Sequence, residues 1–168
     1  MKLEDIKDDG SGYGSHLPIL NMLFRAYPSI EHVVEFGMGN FSTKYFMCQQ
    51  CELMSVEMQS EEWFAKMSAE LMNEAKEHWT PVLALGATEW KTLKYPDVVN
   101  LCFVDGHAES RADCVQFMFD KAMIIVCHDF ECPVYEWSRI QKPNDFKLVV
   151  YHHSDVQTGV FIHESLLN

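Results

Sequence analysis

Short apolar runs alternate with amphipathic segments along most of this chain. Apolar runs of five or six residues between polar or turn residues are typical of buried strands, whereas apolar residues recurring every three or four positions indicate a helix. The runs predict seven strands, at about residues 32–36, 53–57, 81–85, 99–104, 123–127, 147–151 and 158–163. The amphipathic segments predict four main helices, which begin near residues 18, 42, 60 and 110; the second reaches residue 49 and the last residue 121.

The order of these elements predicts the topology of the sheet. Strands alternate with helices through the fifth strand, which is the pattern of parallel βαβ units. Only about six residues separate the last two strands, too few for a helical crossover, so these two strands must pair antiparallel. The sequence therefore predicts an α/β fold with a Rossmann-like, doubly wound sheet of seven strands, in which five parallel strands are followed by a C-terminal antiparallel hairpin.

The first strand leads directly into a turn that contains two glycines. An apolar run ends at Glu35, Gly37 and Gly39 follow, and a helix begins at Ser42. Glycine permits a positive φ and lets a ligand approach the backbone closely. A second apolar run ends at Glu57, about twenty residues further on, which is the spacing at which nucleotide-binding α/β proteins place a ribose-binding carboxylate. Together the two segments indicate a protein that binds a nucleoside cofactor.

The glycine turn also favours one class of nucleoside over another. A nicotinamide dinucleotide site has a third glycine and places the pyrophosphate at a helix N-terminus, but Ser42 stands at that third position. Glu35, two residues before Gly37, would repel a pyrophosphate, whereas a carboxylate suits a cationic ammonium or sulfonium group. A nicotinamide-dependent oxidoreductase is therefore the weaker alternative.

Polar residues follow the apolar strands at one edge of the predicted sheet. In a parallel sheet, ligands bind beyond the carboxyl ends of the strands, beside the first strand. Those ends carry Glu35 with the glycine turn, Glu57, and residues 86–88, 105–107 and 128–129. Packing alone does not explain so many polar endings on apolar strands, so we expect the ligand site at this edge.

Three of these segments resemble motifs of a known superfamily. Residues 35–42 resemble the first motif of the class I S-adenosylmethionine-dependent methyltransferases, and Glu57 matches their acidic ribose-binding position. Residues 103–107 with Arg111, and residues 126–129, resemble the fourth- and fifth-strand motifs of the small-molecule O-methyltransferases in that superfamily. The resemblance implies the strand order 3-2-1-4-5-7-6.

The resemblance, which covers roughly residues 16–164, also implies a cofactor and an activity. The cofactor is S-adenosylmethionine, and the activity is methyl transfer to a small-molecule acceptor at oxygen; the alternatives are cleavage of the cofactor and a non-catalytic binding domain. In such a site the glycine turn lies against the methionine moiety, Glu35 holds the ammonium directly or through water, Glu57 binds the ribose, and Met58 packs on the adenine. The full implied cofactor-binding set is Glu35, Gly37, Met38, Gly39, Ser42, Glu57, Met58, Ala87, Thr88, Asp105 and His16. Of these, His16 would fold over the cofactor.

The implied reaction needs few catalytic groups. Methyl transfer from a sulfonium is an in-line displacement, so the protein mainly has to hold the nucleophile near the methyl group. A hydroxyl acceptor also needs a base, and histidine is the natural one because it titrates near neutral pH. The candidate catalytic residues are His128, Asp105, His107 and Asp129, with His152 and His153 on the same rim. The alternative is that some of these histidines are exposed loop residues without a role.

A magnesium site is a further implication of the resemblance. Some related small-molecule O-methyltransferases hold Mg²⁺ with carboxylates from the ends of the fourth and fifth strands and with an amide or a further acid, since hard divalent cations prefer oxygen ligands. Asp105 and Asp129 stand at these two strand ends. Phe130 follows Asp129 and cannot ligate, although Glu131 is close. The third ligand is therefore missing from the expected position, and Mg²⁺ stays open as a second cofactor.

Composition limits the class of protein and its partners. The length of 168 residues predicts one domain over residues 1–168. The net charge of −12 argues against a nucleic-acid partner, since phosphate binding needs a basic surface. No apolar run is long enough to span a membrane and the charged start is unlike a signal peptide, so we expect a cytoplasmic protein without membrane contact. Residues 1–15 are polar and glycine-rich, and we expect them to be mobile.

The cysteines and the length of the chain give two further expectations. Among the six cysteines only Cys48 and Cys51 lie close together, and no second pair completes a zinc site, so we expect all six to be reduced and structural. No obvious insertion caps the acceptor site. Either the N-terminal segment or a second subunit therefore forms the lid, and a homodimer is the expected assembly.

Overall fold

The computed structural model describes residues 2–7, 9–10, 12–72, 77–153 and 155–167. None of the described helices is both long and apolar enough to cross a bilayer. The main elements follow one another as α1 (Leu17–Ala26), β1 (His32–Phe36), α2 (Ser42–Met47), β2 (Glu52–Glu57), α3 (Glu61–Leu71), β3 (Trp79–Leu83), β4 (Val99–Val104), α4 (Arg111–Met118), β5 (Ala122–Cys127), β6 (Phe146–His153) and β7 (Val156–His163).

The seven strands form one sheet in the order β3-β2-β1-β4-β5-β7-β6. The first five pair parallel, and β7 pairs antiparallel with both β5 and β6. This confirms the predicted topology and strand order. Because β1, β2, β4 and β5 run parallel, their carboxyl ends lie at one edge of the sheet. The strand order reverses between β1 and β4, which is the switch point where ligands bind in such sheets.

Both faces of the sheet are buried, which is why its central strands read as continuous apolar runs. In β4, Leu101 and Phe103 pack into one core, to which α1, α2 and α3 contribute. The alternating residues Cys102 and Val104 pack into a second core together with α4. A sheet covered on both faces is the doubly wound arrangement that the sequence predicts.

The bounds of β3 differ most from the prediction. The apolar run predicts residues 81–85, but the strand is Trp79–Leu83, and Leu85 is exposed. β3 lies at the edge of the sheet, where Pro81 is tolerated because its missing N–H faces outward. The helices α2 and α4 are also shorter than predicted, since they end at Met47 and Met118.

The closing hairpin is longer than predicted. β6 continues to His153 and β7 begins at Val156, and these two residues pair with each other. His152 is exposed on the outer strand of the hairpin. Exposed polar residues on an edge strand give no hydrophobic signal, so the pattern of the sequence stops short of the strand end.

Candidate functional site

Two adjoining cavities flank the glycine turn at the carboxyl edge of the sheet. The large cavity has a volume of about 580 Å³ and the small cavity about 230 Å³. Met38, Trp63 and Asp105 line both cavities. The other lining residues are Asp9, Tyr13, His16, Gly39, Asn40, Phe41 and Ser42 for the large cavity, and Gly37, Glu57, Gln59 and Ser60 for the small one.

The glycine turn runs close beneath the end of β4. Gly37 has a φ of +93°, and a Cβ there would lie 2.5 Å from the backbone oxygen of Asp105. Its N–H donates to the carbonyl oxygen of Val56 at 2.8 Å. Gly39 does not adopt a positive φ, and a Cβ there would lie 3.0 Å from Oγ of Ser42. Of the two glycines, only Gly37 therefore uses the left-handed region, while Gly39 provides room.

Glu35 lies beneath this turn and is fully buried. Its Oε2 accepts hydrogen bonds from Oγ1 of Thr43 at 2.7 Å and from Oγ of Ser55 at 2.8 Å. Thr43 Oγ1 in turn accepts the N–H of Gly39 at 2.9 Å. Glu35 therefore holds the turn through Thr43, and it is not among the residues that line either cavity.

The buried position of Glu35 predicts a pH-dependent stability. Burial raises the pKa of Glu35 to about 7, against the hydrogen bonds from Ser42, Thr43 and Ser55, which lower it. Between about pH 4.5 and pH 7 the folded chain keeps a proton that the unfolded chain releases, so the free energy of unfolding falls as the pH rises, by up to about 3 kcal/mol. Glu35→Gln should remove this fall, because glutamine does not titrate.

Urea unfolding at several pH values between 4.5 and 8 measures this effect. The matched control is the substitution of Glu62, which is exposed on α3, by glutamine; it should keep the dependence of the parent chain. If Glu35→Gln shows the same pH dependence as the parent, the buried carboxyl group is not its source.

Glu57 approaches the turn from the end of β2. Its Oε2 accepts the N–H of Met38 at 3.3 Å, and its Oε1 accepts the N–H groups of Gln59 at 2.8 Å and Ser60 at 3.2 Å. Nε1–H of Trp63 donates to the carbonyl oxygen of Met38 at 2.7 Å. Glu57 is 3% exposed and lines the small cavity, so the predicted ribose-binding acid does stand at a cavity wall.

Three predicted adenine contacts do not line either cavity. Met58 is buried in the core that contains α4, and its sulfur would lie 3.1 Å from a Cβ at Gly106. Ala87 and Thr88 are exposed in the connection that follows β3. The polarity of a strand end predicts the edge at which a ligand binds, but not which side chains turn towards it.

A buried cluster of titratable side chains lies behind the large cavity. His128 follows β5 and is 2% exposed; its Nε2 lies 2.9 Å from Oγ of Ser15. Its Nδ1 lies 3.3 Å from Oδ1 of Asp105 and 3.6 Å from Oδ1 of Asp129. Burial lowers the pKa of His128, but the two carboxylates outweigh it, so the pKa is raised. His128 is not a lining residue, whereas Asp105 lines both cavities.

His16 joins this cluster from the N-terminal side. The residue precedes α1, is 1% exposed, and its ring centroid lies 4.7 Å from that of Phe103 and 4.8 Å from that of His128. His16, Tyr13 and Asp9 line the large cavity, so the N-terminal segment supplies one of its walls. The predicted mobility of residues 1–15 stays a prediction, and positions 1, 8 and 11 lie outside the described residues.

The other candidate catalytic residues lie outside both cavities. Nδ1 of His107 accepts the N–H of Glu109 at 3.3 Å. His152 is exposed, and His153 stacks on Tyr151 in the hairpin. The structure therefore brings Asp105, His128 and His16 together but leaves these three histidines apart.

No protein-family model matches the chain, and no curated protein matches it. Solved structures do. A methyltransferase from Podospora anserina with S-adenosylhomocysteine bound matches with a TM-score of 0.70 and 13% identity over 96% of this chain and 84% of that one. An O-methyltransferase from Bacillus cereus in complex with S-adenosylhomocysteine gives a TM-score of 0.70 and 10% identity, over 95% and 90% of the two chains.

A third structure is an O-methyltransferase of tomaymycin synthesis from Streptomyces achromogenes, in complex with S-adenosylmethionine. It matches with a TM-score of 0.68 and 14% identity over 94% of this chain and 92% of that one. The chain has the class I methyltransferase fold. Identities this low establish the fold and leave the activity to be argued from the site.

The resemblance to small-molecule O-methyltransferases implies a Mg²⁺ site between Asp105 and Asp129, and the residues present do not fit it. The guanidinium of Arg111 lies there instead, with Nη2 2.8 Å from Oδ1 of Asp105 and Nη1 3.4 Å from Oδ2 of Asp129. Phe130 offers no ligand atom, and Oε2 of Glu131 accepts the N–H of Gln157 at 2.7 Å. The guanidinium occupies the space between the two carboxylates, and no third oxygen ligand among the described residues stands beside them, so this position lacks the oxygen ligand set that a hard divalent cation requires.

The sequence pattern does not predict several residues at these cavities. Trp63 fits a helical stripe with Met67 and Leu71, which indicates a core position, yet it also lines both cavities. Ser15 gave no signal because a lone serine before a helix has many ordinary roles. Arg111 belongs to the fourth-strand motif, but the sequence assigns it no role; its ion pairs with Asp105 and Asp129 appear only in the structure.

Proposed function

We propose that this chain binds S-adenosylmethionine and transfers its methyl group to an oxygen atom of a small-molecule acceptor. The observation that carries the proposal is the pair of adjoining cavities around the glycine turn, with Glu57 in the wall of one and Asp105 in the walls of both. The solved neighbours with S-adenosylmethionine or S-adenosylhomocysteine bound support the choice of cofactor.

The two cavities suit the two halves of the cofactor. In the small cavity the carboxylate of Glu57 keeps free lone pairs on Oε2 and is placed to accept hydrogen bonds from ribose hydroxyl groups. In the large cavity the carboxyl groups of Asp9 and Asp105 favour the cationic ammonium and sulfonium groups. The remaining space, next to Tyr13 and His16, is left for the acceptor.

The proposed reaction needs one carboxylate at the reacting centre. The acceptor oxygen forms a bond to the methyl carbon while the carbon–sulfur bond breaks, and the electron pair of that bond goes to sulfur to give S-adenosylhomocysteine. The hydroxyl proton of the acceptor leaves to a base. Asp105 is the cluster carboxylate that lines both cavities, whereas His128 acts through Asp105 as a positioning residue.

Calorimetric titration with S-adenosylmethionine and S-adenosylhomocysteine tests the proposal. We expect micromolar binding of both, followed by release of S-adenosylhomocysteine in a screen of hydroxyl-bearing acceptors. Cleavage of the cofactor to other products would replace the transferase by a lyase, and binding without turnover would indicate a non-catalytic domain. Binding of neither compound, with binding of a nicotinamide dinucleotide, would overturn the proposal.

Glu57→Ala should weaken the binding of S-adenosylhomocysteine by about 1–3 kcal/mol, because it removes charge-assisted hydrogen bonds to the ribose. Glu57→Gln keeps the shape and should lose a similar part of the affinity. The matched control is Glu52→Gln at the opposite end of the same strand, where the carboxylate lies 2.7 Å from Nδ1 of His78. Unchanged affinity in both Glu57 variants would reject the ribose assignment.

Asp105→Asn should lower the rate of methyl transfer by a factor on the order of 100, because the amide can neither accept a proton nor offset the charge at the reacting centre. The measurement is S-adenosylhomocysteine formation with an acceptor found in the screen. The comparison is Asp129→Asn, whose carboxylate faces Arg111 and Tyr135 and not the cavities. Equal losses in both variants would remove Asp105 from the chemistry.

The site leads us to propose that this activity does not use Mg²⁺ between Asp105 and Asp129. Added Mg²⁺ should then change neither the affinity for S-adenosylhomocysteine nor the rate of methyl transfer.

The N-terminal segment contributes a wall of the large cavity, which removes the need for a second subunit as a lid. The predicted homodimer stays a prediction, and sedimentation of the purified chain checks it.

A further inference from the structure

Three potential metal ligands converge at the floor of the large cavity. His16 comes from the segment before α1, Asp105 from the end of β4 and His128 from the end of β5. Each offers one donor atom, and the three donor atoms lie within 4.8 Å of one another. Two imidazole nitrogens and one carboxylate oxygen form a donor set typical of first-row transition metals such as zinc and iron, and not of magnesium.

The ring of His128 is held in an orientation that suits a ligand. Nε2 is paired with Oγ of Ser15 at 2.9 Å, and metal-bound imidazoles usually donate their other ring N–H to such a partner. Nδ1 of His128 is buried and lies 3.3 Å from Oδ1 of Asp105 and 3.6 Å from Oδ1 of Asp129. This nitrogen needs a cation, either a proton or a metal ion, between itself and the two carboxylates. A metal ion bound there would displace the proton of Nδ1.

We propose that His16, Asp105 and His128 bind a divalent first-row transition-metal ion, with Zn²⁺ as the first candidate. Oδ1 of Asp105 lies 2.8 Å from Nη2 of Arg111 and 3.3 Å from Nδ1 of His128, so the metal would share this carboxylate with Arg111. Metal–ligand bonds of about 2.0–2.2 Å place donor atoms about 3–4 Å apart. The three donor atoms therefore have to move closer together by about 1 Å when the ion binds.

The metal would have open coordination positions towards the cavity, because His16 and Asp105 both line it. An acceptor hydroxyl group bound at such a position loses its proton more readily. This consequence rests on the proposed function, whereas metal binding itself does not. Binding is therefore measured on the chain without S-adenosylmethionine, and calorimetry with S-adenosylhomocysteine is run separately, so that failure of one proposal is distinguishable from failure of the other.

The experiment uses the full chain, freed of metal with a chelator and titrated with Zn²⁺ by calorimetry and with Co²⁺ by visible absorption. We expect one ion per chain with micromolar or tighter affinity, and cobalt d–d bands without a thiolate charge-transfer band, because the six cysteines take no part. His16→Gln should weaken binding by at least about 100-fold, since removing even a partner that only orients a ligand costs roughly 10- to 100-fold. The matched control, His152→Gln at an exposed position, should bind as the parent does.

A second variant guards against loss of the fold. Ser15→Ala leaves the three ligands in place and should weaken Zn²⁺ binding by about tenfold. Zn²⁺ should also raise the melting temperature of the parent chain but not that of His16→Gln. Circular dichroism establishes that each variant is folded. The proposal is overturned if the parent chain binds neither ion with one-to-one stoichiometry, if folded His16→Gln binds as the parent does, or if the cobalt spectrum shows thiolate ligation.

Discussion

Gly37→Ala should abolish measurable binding of S-adenosylhomocysteine and lower the free energy of unfolding by about 3 kcal/mol. Two costs add. An L residue with a Cβ pays about 1–2 kcal/mol in the left-handed region, which Gly37 occupies with a φ of +93°. The Cβ would also lie 2.5 Å from the backbone oxygen of Asp105 and 2.7 Å from Cα of Gly106. These are backbone atoms, which cannot rotate away.

The clash cannot be relieved without opening the sheet at the edge that carries the two cavities. The N–H of Asp105 donates to the carbonyl oxygen of Phe36 at 2.9 Å, directly before Gly37, so the two segments are tied together where the Cβ would push them apart. A shift of the turn would also move Met38, whose N–H bonds to Glu57. The cavities on both sides of the turn would change shape together.

A second glycine separates the two costs. Gly86 has a φ of +108°, but a Cβ there would meet nothing within 4 Å. Gly86→Ala should therefore pay only the conformational cost and leave cofactor binding unchanged. Urea unfolding and calorimetry of both variants measure the difference. A loss in Gly37→Ala no larger than in Gly86→Ala would show that the close approach to Asp105 does not matter.

The fold could be predicted from the sequence because its signals are local. Buried parallel strands read as apolar runs, and the short spacing before the last strand leaves only an antiparallel pairing. The sequence also predicts the glycine turn and Glu57 at this edge, and the structure places both in cavity walls, because each is fixed by its place at a strand end. A parallel sheet brings all such ends to one edge, whatever the other side chains do.

The contacts within the site could not be predicted in the same way. Met58 immediately follows Glu57, yet Met58 packs into the core whereas Glu57 lines the small cavity. The sulfur of Met58 packs closely against Gly106. The pairing of Ser15 with His128 joins residues 113 positions apart, and no local pattern encodes it. Where the side chains of different strand ends meet, the outcome depends on three-dimensional packing that periodicity does not record.

Arg111→Met should lower the free energy of unfolding by about 3–5 kcal/mol, the usual cost of removing one partner from a buried ion pair. Arg111 is 6% exposed, and its guanidinium contacts the carboxylates of Asp105 and Asp129. Its Nε–H also donates to the carbonyl oxygen of Gly106 at 2.9 Å, and the guanidinium lies 3.8 Å from the ring centroid of Tyr135. Methionine fills much of the volume but removes the guanidinium that pairs with both carboxylates.

The pH dependence of this loss distinguishes charge from packing. Burial raises the pKa of Asp105, but the hydrogen bond and charge of His128, together with the charge of Arg111, outweigh it and hold this pKa below its usual range. Without Arg111 the pKa of Asp105 should rise in the folded state. Protonation then relieves the repulsion between Asp105 and Asp129, so the difference in stability between parent and Arg111→Met should shrink as the pH falls from 7 to 4. A loss caused by packing alone would stay constant over this range.

Two further variants complete the argument. Arg139→Met removes an exposed arginine that pairs with Asp113 and Glu136, and it should change stability far less, because exposed ion pairs contribute little. The double variant Arg111→Met with Asp129→Asn removes one of the two unpaired carboxylates and should recover part of the loss, a coupling that a double-mutant cycle measures. If Arg111→Met is no more harmful than Arg139→Met, Arg111 is not the cation that holds the ends of β4 and β5 together, and the argument against Mg²⁺ at this position loses its basis.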